Sequence, residues 1–185
     1  MREVKLVVDA LGGDNAPDVV LEGVEQALSA DGGVHVILTG PADVVEPFAA
    51  SHERVEACAT TQAIDMGEHP AQAVRKKKDS SIVVGCRLVK EGAAQGFFSA
   101  GSTGACMAAA TLVIGRIRGI KRPALSLPLP GLRGHRTVLL DLGANADVKP
   151  EVLVQFAHMG AAYSRVAVGA HNPTVALLCN GAEET

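Results

Sequence analysis

Three short segments of this chain combine glycine with small polar residues, a composition typical of loops that bind anions. They read DALGGDNAP (residues 9–17), SAGSTGA (residues 99–105) and DLGANADVKP (residues 141–150). Each segment follows a predicted strand and leads into a predicted helix. Because the start of a helix presents unpaired N–H donors and about half a positive charge, an anion is the natural ligand at each of these positions.

The second segment has the composition best suited to binding. Gly101 and Gly104 would let a ligand approach the backbone, and Ser99, Ser102 and Thr103 would supply hydroxyl donors. An equally good interpretation is structural, because the same residues could cap a helix and let it pack closely on a sheet. Composition alone leaves both interpretations open.

The other two segments carry weaker signals. DALGGD matches neither the dinucleotide-binding fingerprint nor the P-loop, and by itself it predicts a tight strand-to-helix turn. In the third segment, Asn145, Asp147 and Lys149 could orient or neutralise a ligand, or could simply close an Asx-type turn. Binding is slightly favoured, since Lys149 stands at a helix start where its charge opposes the helix dipole.

A run of four cations, Arg75, Lys76, Lys77 and Lys78, ends the helix that is predicted to begin at Pro70. Cations in a last turn complement the negative end of the helix dipole, so a solvated helix end is the ordinary interpretation. The alternative is a patch that attracts an acidic partner by electrostatic steering.

Short apolar strands alternate with helical segments, which predicts an α/β fold with a mostly parallel sheet and helices on both faces. The predicted strands cover residues 4–10, 34–38, 96–99, 136–143 and 174–179. The predicted helices begin at residues 17, 41, 70, 82, 103 and 150, and the fifth extends to about Ile117. Residues 1–185 are expected to form one domain, whose final βα unit is incomplete because no helix follows the last strand.

Composition narrows the class of protein. Hydrophobic residues make up 48% of the 185 residues and aromatic residues only 3%, so the core must consist of Ala, Val, Leu and Ile, as in tightly packed α/β layers. A formal net charge of -3 gives no basic surface for nucleic acid. No stretch reaches the length of a membrane span, so a cytosolic protein is expected.

The four cysteines, Cys58, Cys86, Cys106 and Cys179, show no C-x-x-C spacing and no paired histidine. This pattern disfavours a zinc site and favours free thiols in a reducing cytoplasm. No metal and no cofactor is predicted.

Taken together, the segments resemble one family closely, the bacterial phosphate acyltransferases of phospholipid synthesis known as PlsX. The matching pieces are DALGGDNAP, GEHPAQAVRKKKDSS, LVKEGAAQGFFSAGSTGA, GRIRGIKRPAL, DLGANADVKPE, QFAHMG and NPTVALL. They occur in the order found in the family and span nearly the whole chain, which chance would hardly produce.

The resemblance implies a Rossmann-like three-layer α/β/α sandwich, similar to phosphotransacetylases and isocitrate-type dehydrogenases. It implies that an acyl chain passes from acyl carrier protein to inorganic phosphate, giving an acyl phosphate. It also implies a homodimer that associates peripherally with the inner face of the membrane.

The same resemblance suggests roles for individual residues. Seven of them would hold phosphate or acyl phosphate: Asn15, Gly101, Ser102, Thr103, Gly104, Asn145 and Lys149. Three of these, Ser102, Asn145 and Lys149, are the candidate catalytic groups. Residues 75–78 would meet the acidic carrier protein.

The chain departs from the family at two points. The family pattern usually reads Ser-Ala-Gly-Asn-Thr-Gly, and Ser102 here replaces the Asn with a shorter side chain. The family also continues well beyond the position of Thr185, including its membrane-associating helices. Two alternatives to the enzyme therefore stay open: a non-catalytic truncated homologue, and a related transferase that uses a coenzyme A thioester.

Overall fold

The computed structural model describes residues 3–145 and 147–178. The chain divides into two compact units, Met1–Gly115 and Arg116–Thr185, and each is described here by itself. The expectation of one domain over residues 1–185 stays a prediction.

The first unit is built on a sheet of four parallel strands in the order β3-β2-β1-β4. The strands are β1 (Val4–Asp9), β2 (Val34–Gly40), β3 (Val55–Ala59) and β4 (Gly96–Phe98). Because all four strands point the same way, their carboxyl ends lie at one edge of the sheet, where open α/β folds bind ligands.

Five helices connect and follow these strands. They are α1 (Asp18–Ala30), α2 (Ala42–Ala50), α3 (Pro70–Lys76), α4 (Ser81–Lys90) and α5 (Thr103–Ala109), and α5 continues as a π-helical turn over Ala110–Ile114. The predicted extension to Ile117 is wrong by three residues, because Gly115 takes a φ of 99° that no helix accommodates.

Helices cover both faces of the parallel sheet. Alternate side chains of a strand point to opposite faces, so Val8 and Leu38 pack with Val24 and Val45 of α1 and α2. On the other face, Val7 and Ile37 pack with apolar residues of α4, Leu88 and Val89. The predicted three-layer α/β/α architecture is confirmed.

The strand β3 does not stand out in the sequence. Val55 is its only fully buried residue, and Glu56, Ala57 and Ala59 are exposed. An edge strand with one buried residue shows neither the apolar run of a central strand nor a clear alternation of apolar and polar residues. The sequence therefore does not predict β3 or its pairing with β2.

The second unit contains an antiparallel pair of strands, β5 (Ser126–Pro130) and β6 (Arg136–Leu140), followed by α6 (Pro150–Tyr163) and a π-helical turn over Ser164–Val168. Residues 136–143 are predicted to form a strand of the mostly parallel sheet. That prediction is wrong, because β6 pairs with β5 in a separate sheet of two strands. The short connection between the strands, in which the Gly131 N–H donates to the His135 carbonyl, permits only antiparallel pairing.

The predicted last strand does not form over residues 174–178, and Cys179 lies outside the described residues. A strand requires a hydrogen-bonded neighbour, which local sequence does not reveal. Among the helices of the described residues, none is long and apolar enough to cross a membrane.

Candidate anion-binding site

Two of the three predicted segments meet at the carboxyl edge of the parallel sheet. The strands β1 and β4 are neighbours, with Val8 opposite Phe98. The loop after β1 (residues 10–17) and the loop after β4 therefore start side by side. We call residues 99–104 of the second loop, which lead into α5, the glycine loop.

A buried carboxylate joins these two loops. Asp9, the last residue of β1, is only 2% exposed. Its Oδ1 accepts a 3.0 Å hydrogen bond from the Leu11 N–H, and its Oδ2 accepts a 2.7 Å bond from the Ser99 hydroxyl. The Ser99 Oγ in turn accepts the Gly101 N–H at 3.0 Å. The sequence predicts that Asp9, an acidic residue, lies near the end of an apolar strand. It does not predict the hydrogen bond that joins Asp9 to Ser99.

Glycine is required where the loops touch. A Cβ on Gly12 would stand 2.8 Å from the backbone nitrogen of Ala100, closer than any side chain can sit. A Cβ on Gly104 would stand 2.7 Å from Cγ of Pro70, so the start of α5 packs directly on the start of α3. These two glycines are therefore explained by packing within the first unit.

The candidate residues of the glycine loop divide into capping and exposed groups. The Ser102 side chain is buried and accepts a 3.3 Å hydrogen bond from the Ala105 N–H, so it caps α5 as the structural interpretation predicts. Thr103 is exposed. The first backbone N–H groups of a helix have no partner within it, so those of α5 are suited to an anion.

The remaining candidates are placed differently. Asn15 is exposed in the loop after β1, and its carbonyl accepts the Val19 N–H. Asn145 and Lys149 belong to the second unit, after β6, so the expectation that all three segments leave one parallel sheet is wrong. A common site formed by Asn145, Lys149 and the glycine loop stays a prediction.

Within the second unit, Asn145 already has structural partners. Its Nδ2 donates to the Pro123 carbonyl at 3.0 Å and to Asp141 Oδ1 at 3.2 Å. Asp141 has a φ of 63°, the left-handed conformation typical of a tight turn. Lys149 is exposed at the N-cap of α6, where it makes no capping hydrogen bond with its side chain.

Only part of the predicted cationic patch is available to a partner. Lys77 is half-buried and donates to Glu68 and to the Ala63 carbonyl. Arg75, Lys76 and Lys78 are exposed. Lys77 is therefore a structural residue in the first unit.

The cysteines of the first unit are poor nucleophiles. Burial raises the pKa of the Cys86 thiol to about 12, and Cys106 adds to the rise. Burial also raises the pKa of Cys106, against a smaller lowering by its hydrogen bond with Ser99. Both thiols are thus protonated at neutral pH, whereas the thiolate is the reactive form.

Comparison with known proteins decides the family. Residues 4–185 match the family described as "Fatty acid synthesis protein". The chain belongs to this family. The assignment made from the seven motifs is thereby confirmed.

Several relatives within the fatty acid synthesis protein family are named phosphate acyltransferase. The protein of Limosilactobacillus reuteri (strain DSM 20016) is 49% identical over 185 residues, covering 98% of this chain and 54% of the relative. That of Desulfitobacterium hafniense (strain Y51) is 50% identical over 185 residues, covering 98% and 55%. The chain spans about half the length of the curated relatives it matches.

Proposed function

We propose that this chain belongs to an enzyme that transfers an acyl group from acyl carrier protein to inorganic phosphate. The observation that carries the proposal is the glycine loop at the carboxyl edge of the parallel sheet, held by the Asp9–Ser99–Gly101 hydrogen bonds. The name of the relatives, phosphate acyltransferase, supports the reaction type. The acyl phosphate produced would serve phospholipid synthesis.

The reaction needs hydrogen-bond donors that bind anions rather than a nucleophile supplied by the protein. An oxygen of hydrogen phosphate attacks the thioester carbonyl and forms the C–O bond, giving a tetrahedral oxyanion; the C–S bond then breaks, and the leaving thiolate takes up the proton that the phosphate releases. The site must therefore hold phosphate and stabilise the developing oxyanion. The protonated thiols of Cys86 and Cys106 fit a mechanism without a covalent enzyme intermediate.

We assign the residue roles as follows. The backbone N–H groups of the glycine loop other than that of Gly101, which donates to Ser99, bind phosphate together with the Thr103 hydroxyl, and Ser102 keeps those groups in place by capping α5. Asn15 lies on the neighbouring loop, and Lys149 neutralises charge on the phosphate. Asn145 orients the loop that carries Lys149 through its bond to Asp141.

The carrier protein is proposed to dock on the cationic side of α4. A groove of about 520 Å³ there is lined by three cations and one carboxylate, Lys78, Arg87, Lys90 and Glu91, together with the apolar Val83, Leu112 and Val113. Lys78 joins this groove to the exposed part of the predicted patch, Arg75 and Lys76. A cationic rim around apolar side chains suits an acidic partner with an apolar face.

The decisive assay mixes the chain with acyl carrier protein thioester and measures both phosphate-dependent thiol release and acyl phosphate. We expect release that saturates with phosphate, as for a full-length relative run in parallel. A folded chain that releases no thiol would instead support the non-catalytic homologue. Competition between carrier and coenzyme A thioesters separates the two possible acyl donors.

Two further properties implied by the resemblance are proposed with the activity. These are a homodimer and a cytoplasmic protein that associates peripherally with membranes. Light scattering after gel filtration measures the first. Co-sedimentation with vesicles containing anionic lipid measures the second, and absence of binding would contradict it for this chain.

A further inference from the structure

Asp9 is a buried charged group that the proposed reaction does not use directly. Burying a carboxylate is costly unless hydrogen bonds replace its hydration. Here both oxygens are satisfied, by the Leu11 N–H on one side and the Ser99 hydroxyl on the other. Each of these donors belongs to a loop that leaves the sheet at the candidate site.

We infer that Asp9 is a positioning residue that acts through Ser99 to set the conformation of the glycine loop. The inference rests on the proposed function, since that loop carries the groups assigned to phosphate. The Ser99 hydroxyl donates a 2.7 Å hydrogen bond to Asp9, which directs the oxygen lone pairs towards the Gly101 N–H at 3.0 Å. Asp9 thus fixes the direction of the Gly101 amide without touching the substrate.

The link depends on the two accepting oxygens of residue 9 as well as on its shape. A carboxylate accepts from Leu11 and Ser99 at the same time, whereas an amide of the same shape has one accepting oxygen. With Asp9→Asn, an NH2 group would face either the Leu11 N–H or the Ser99 hydroxyl proton. Where the NH2 group faces Ser99, the hydroxyl must turn and its bond to Gly101 weakens; where it faces Leu11, that N–H loses its acceptor instead.

Amide hydrogen exchange on the full 185-residue chain tests this link without requiring turnover. In Asp9→Asn and in Ser99→Ala we expect the Gly101 amide to exchange about tenfold faster than in the unmodified chain, the effect of losing one charge-assisted hydrogen bond. The Leu38 amide in the buried strand β2 reports global stability and should change less. Glu46→Gln, which removes an exposed carboxylate from the middle of α2, is the matched control and should change neither amide.

The double variant and inorganic phosphate complete the experiment. If Asp9 acts through Ser99, the Gly101 amide in the double variant exchanges no faster than in Ser99→Ala alone, and phosphate binds about tenfold more weakly in each single variant. An unchanged Gly101 amide in Asp9→Asn, or equal acceleration of Gly101 and Leu38, would overturn the inference. Asp9→Ala, which leaves the Ser99 hydroxyl without the carboxylate acceptor whichever way an Asn side chain would turn, is the second variant and serves if Asp9→Asn does not fold. An unchanged Gly101 amide in Asp9→Ala would also overturn the inference. Altered exchange in a chain that binds no phosphate in any form would support the link and refute the proposed function.

Discussion

Gly12 lies so close to Ser99 that a Cβ on Gly12 would stand 2.7 Å from the Ser99 Oγ. Gly12→Ala must therefore push the glycine loop away, and we expect it to lower the free energy of unfolding by about 1–3 kcal/mol and to weaken phosphate binding. Urea unfolding and phosphate titration measure the two effects. Gly23→Ala in α1 has open space around it and should stabilise the chain by up to about 1 kcal/mol. Equal stability of the two variants would contradict the close approach.

Ser102 allows capping to be separated from binding. Asn and Asp cap helices about as well as Ser. The free energies of unfolding of Ser102→Asn and Ser102→Asp should therefore both lie within about 1 kcal/mol of that of the unmodified chain. A carboxylate at this position repels phosphate, so Ser102→Asp should lower the transfer rate, while Ser102→Asn should keep it. Rates measured against phosphate concentration decide the matter. Equal rates for the two variants would remove Ser102 from the phosphate site.

Lys149→Ala should reduce the transfer rate without a loss of stability. The exposed Lys149 stands at the N-cap of α6, where a cation opposes the dipole, so its removal should leave stability unchanged or raise it by about 0.5 kcal/mol. Arg165→Ala, which removes an exposed cation at the other end of this helical segment, is the control for net charge. A rate unchanged by Lys149→Ala would exclude the assigned role.

Arg54 joins three segments of the first unit. Its guanidinium donates to the carbonyl oxygens of Asp31 at 2.8 Å and Val34 at 3.0 Å, and also to that of Leu28 at the end of α1. We expect Arg54→Ala to lower the free energy of unfolding by about 2–3 kcal/mol, because these bonds are charge-assisted. Arg54→Lys keeps the charge but not the forked geometry, and should fall between the two. Denaturation midpoints that do not follow this order would count against the link.

The ion pair of Lys77 and Glu68 should make stability depend on pH in one direction. The hydrogen bond from Lys77 is the main cause that lowers the pKa of Glu68 from its ordinary value of 4.5. The pairing therefore stabilises the fold above about pH 4.5 and is lost as the pH falls through the lowered pKa. Lys77→Met should reduce stability more at pH 7 than near pH 3, because protonation of Glu68 as the pH falls weakens the pairing, whereas the bond from Lys77 to the Ala63 carbonyl does not depend on Glu68.

Unfolding curves at the two pH values test this dependence. Lys78→Met, the exposed neighbour, is the control and should behave as the unmodified chain at both. A loss caused by Lys77→Met that is the same at pH 7 and near pH 3 would show that the pair is not responsible.

The sequence predicts those parts of the fold that are encoded locally. The apolar runs of β1 and β2 and the proline that begins α3, Pro70, each depend on neighbouring residues, and these features are predicted correctly. Instead of joining the parallel sheet, β6 pairs with its neighbour along the chain, β5, whose sequence SLPLP contains two prolines and is therefore not typical of a strand. Local periodicity carries no information about such a partner.

The same distinction applies to the candidate site. The composition of residues 99–105 predicts a loop before a helix, and the Ser102 cap follows from residue type. The bond from Ser99 to Asp9 joins residues that are 90 positions apart, so neither segment alone reveals it. Sequence therefore predicts which residues form the glycine loop better than it predicts which residues hold the loop in place.

The pairing of β1 with β4 also determines the order in which the strands can pair during synthesis of the chain. β2 can pair with β1, and β3 with β2, while the chain is still being synthesised, but β4 and Ser99 emerge about 90 residues after β1 and Asp9, to which they bind. Closing so long a stretch of chain is slow compared with local pairing. On the ribosome, the nascent chain can therefore have β1, β2 and β3 paired while the other edge of β1 is still unpaired. Asp9 gains its hydrogen bond from Ser99 only after residue 99 has emerged.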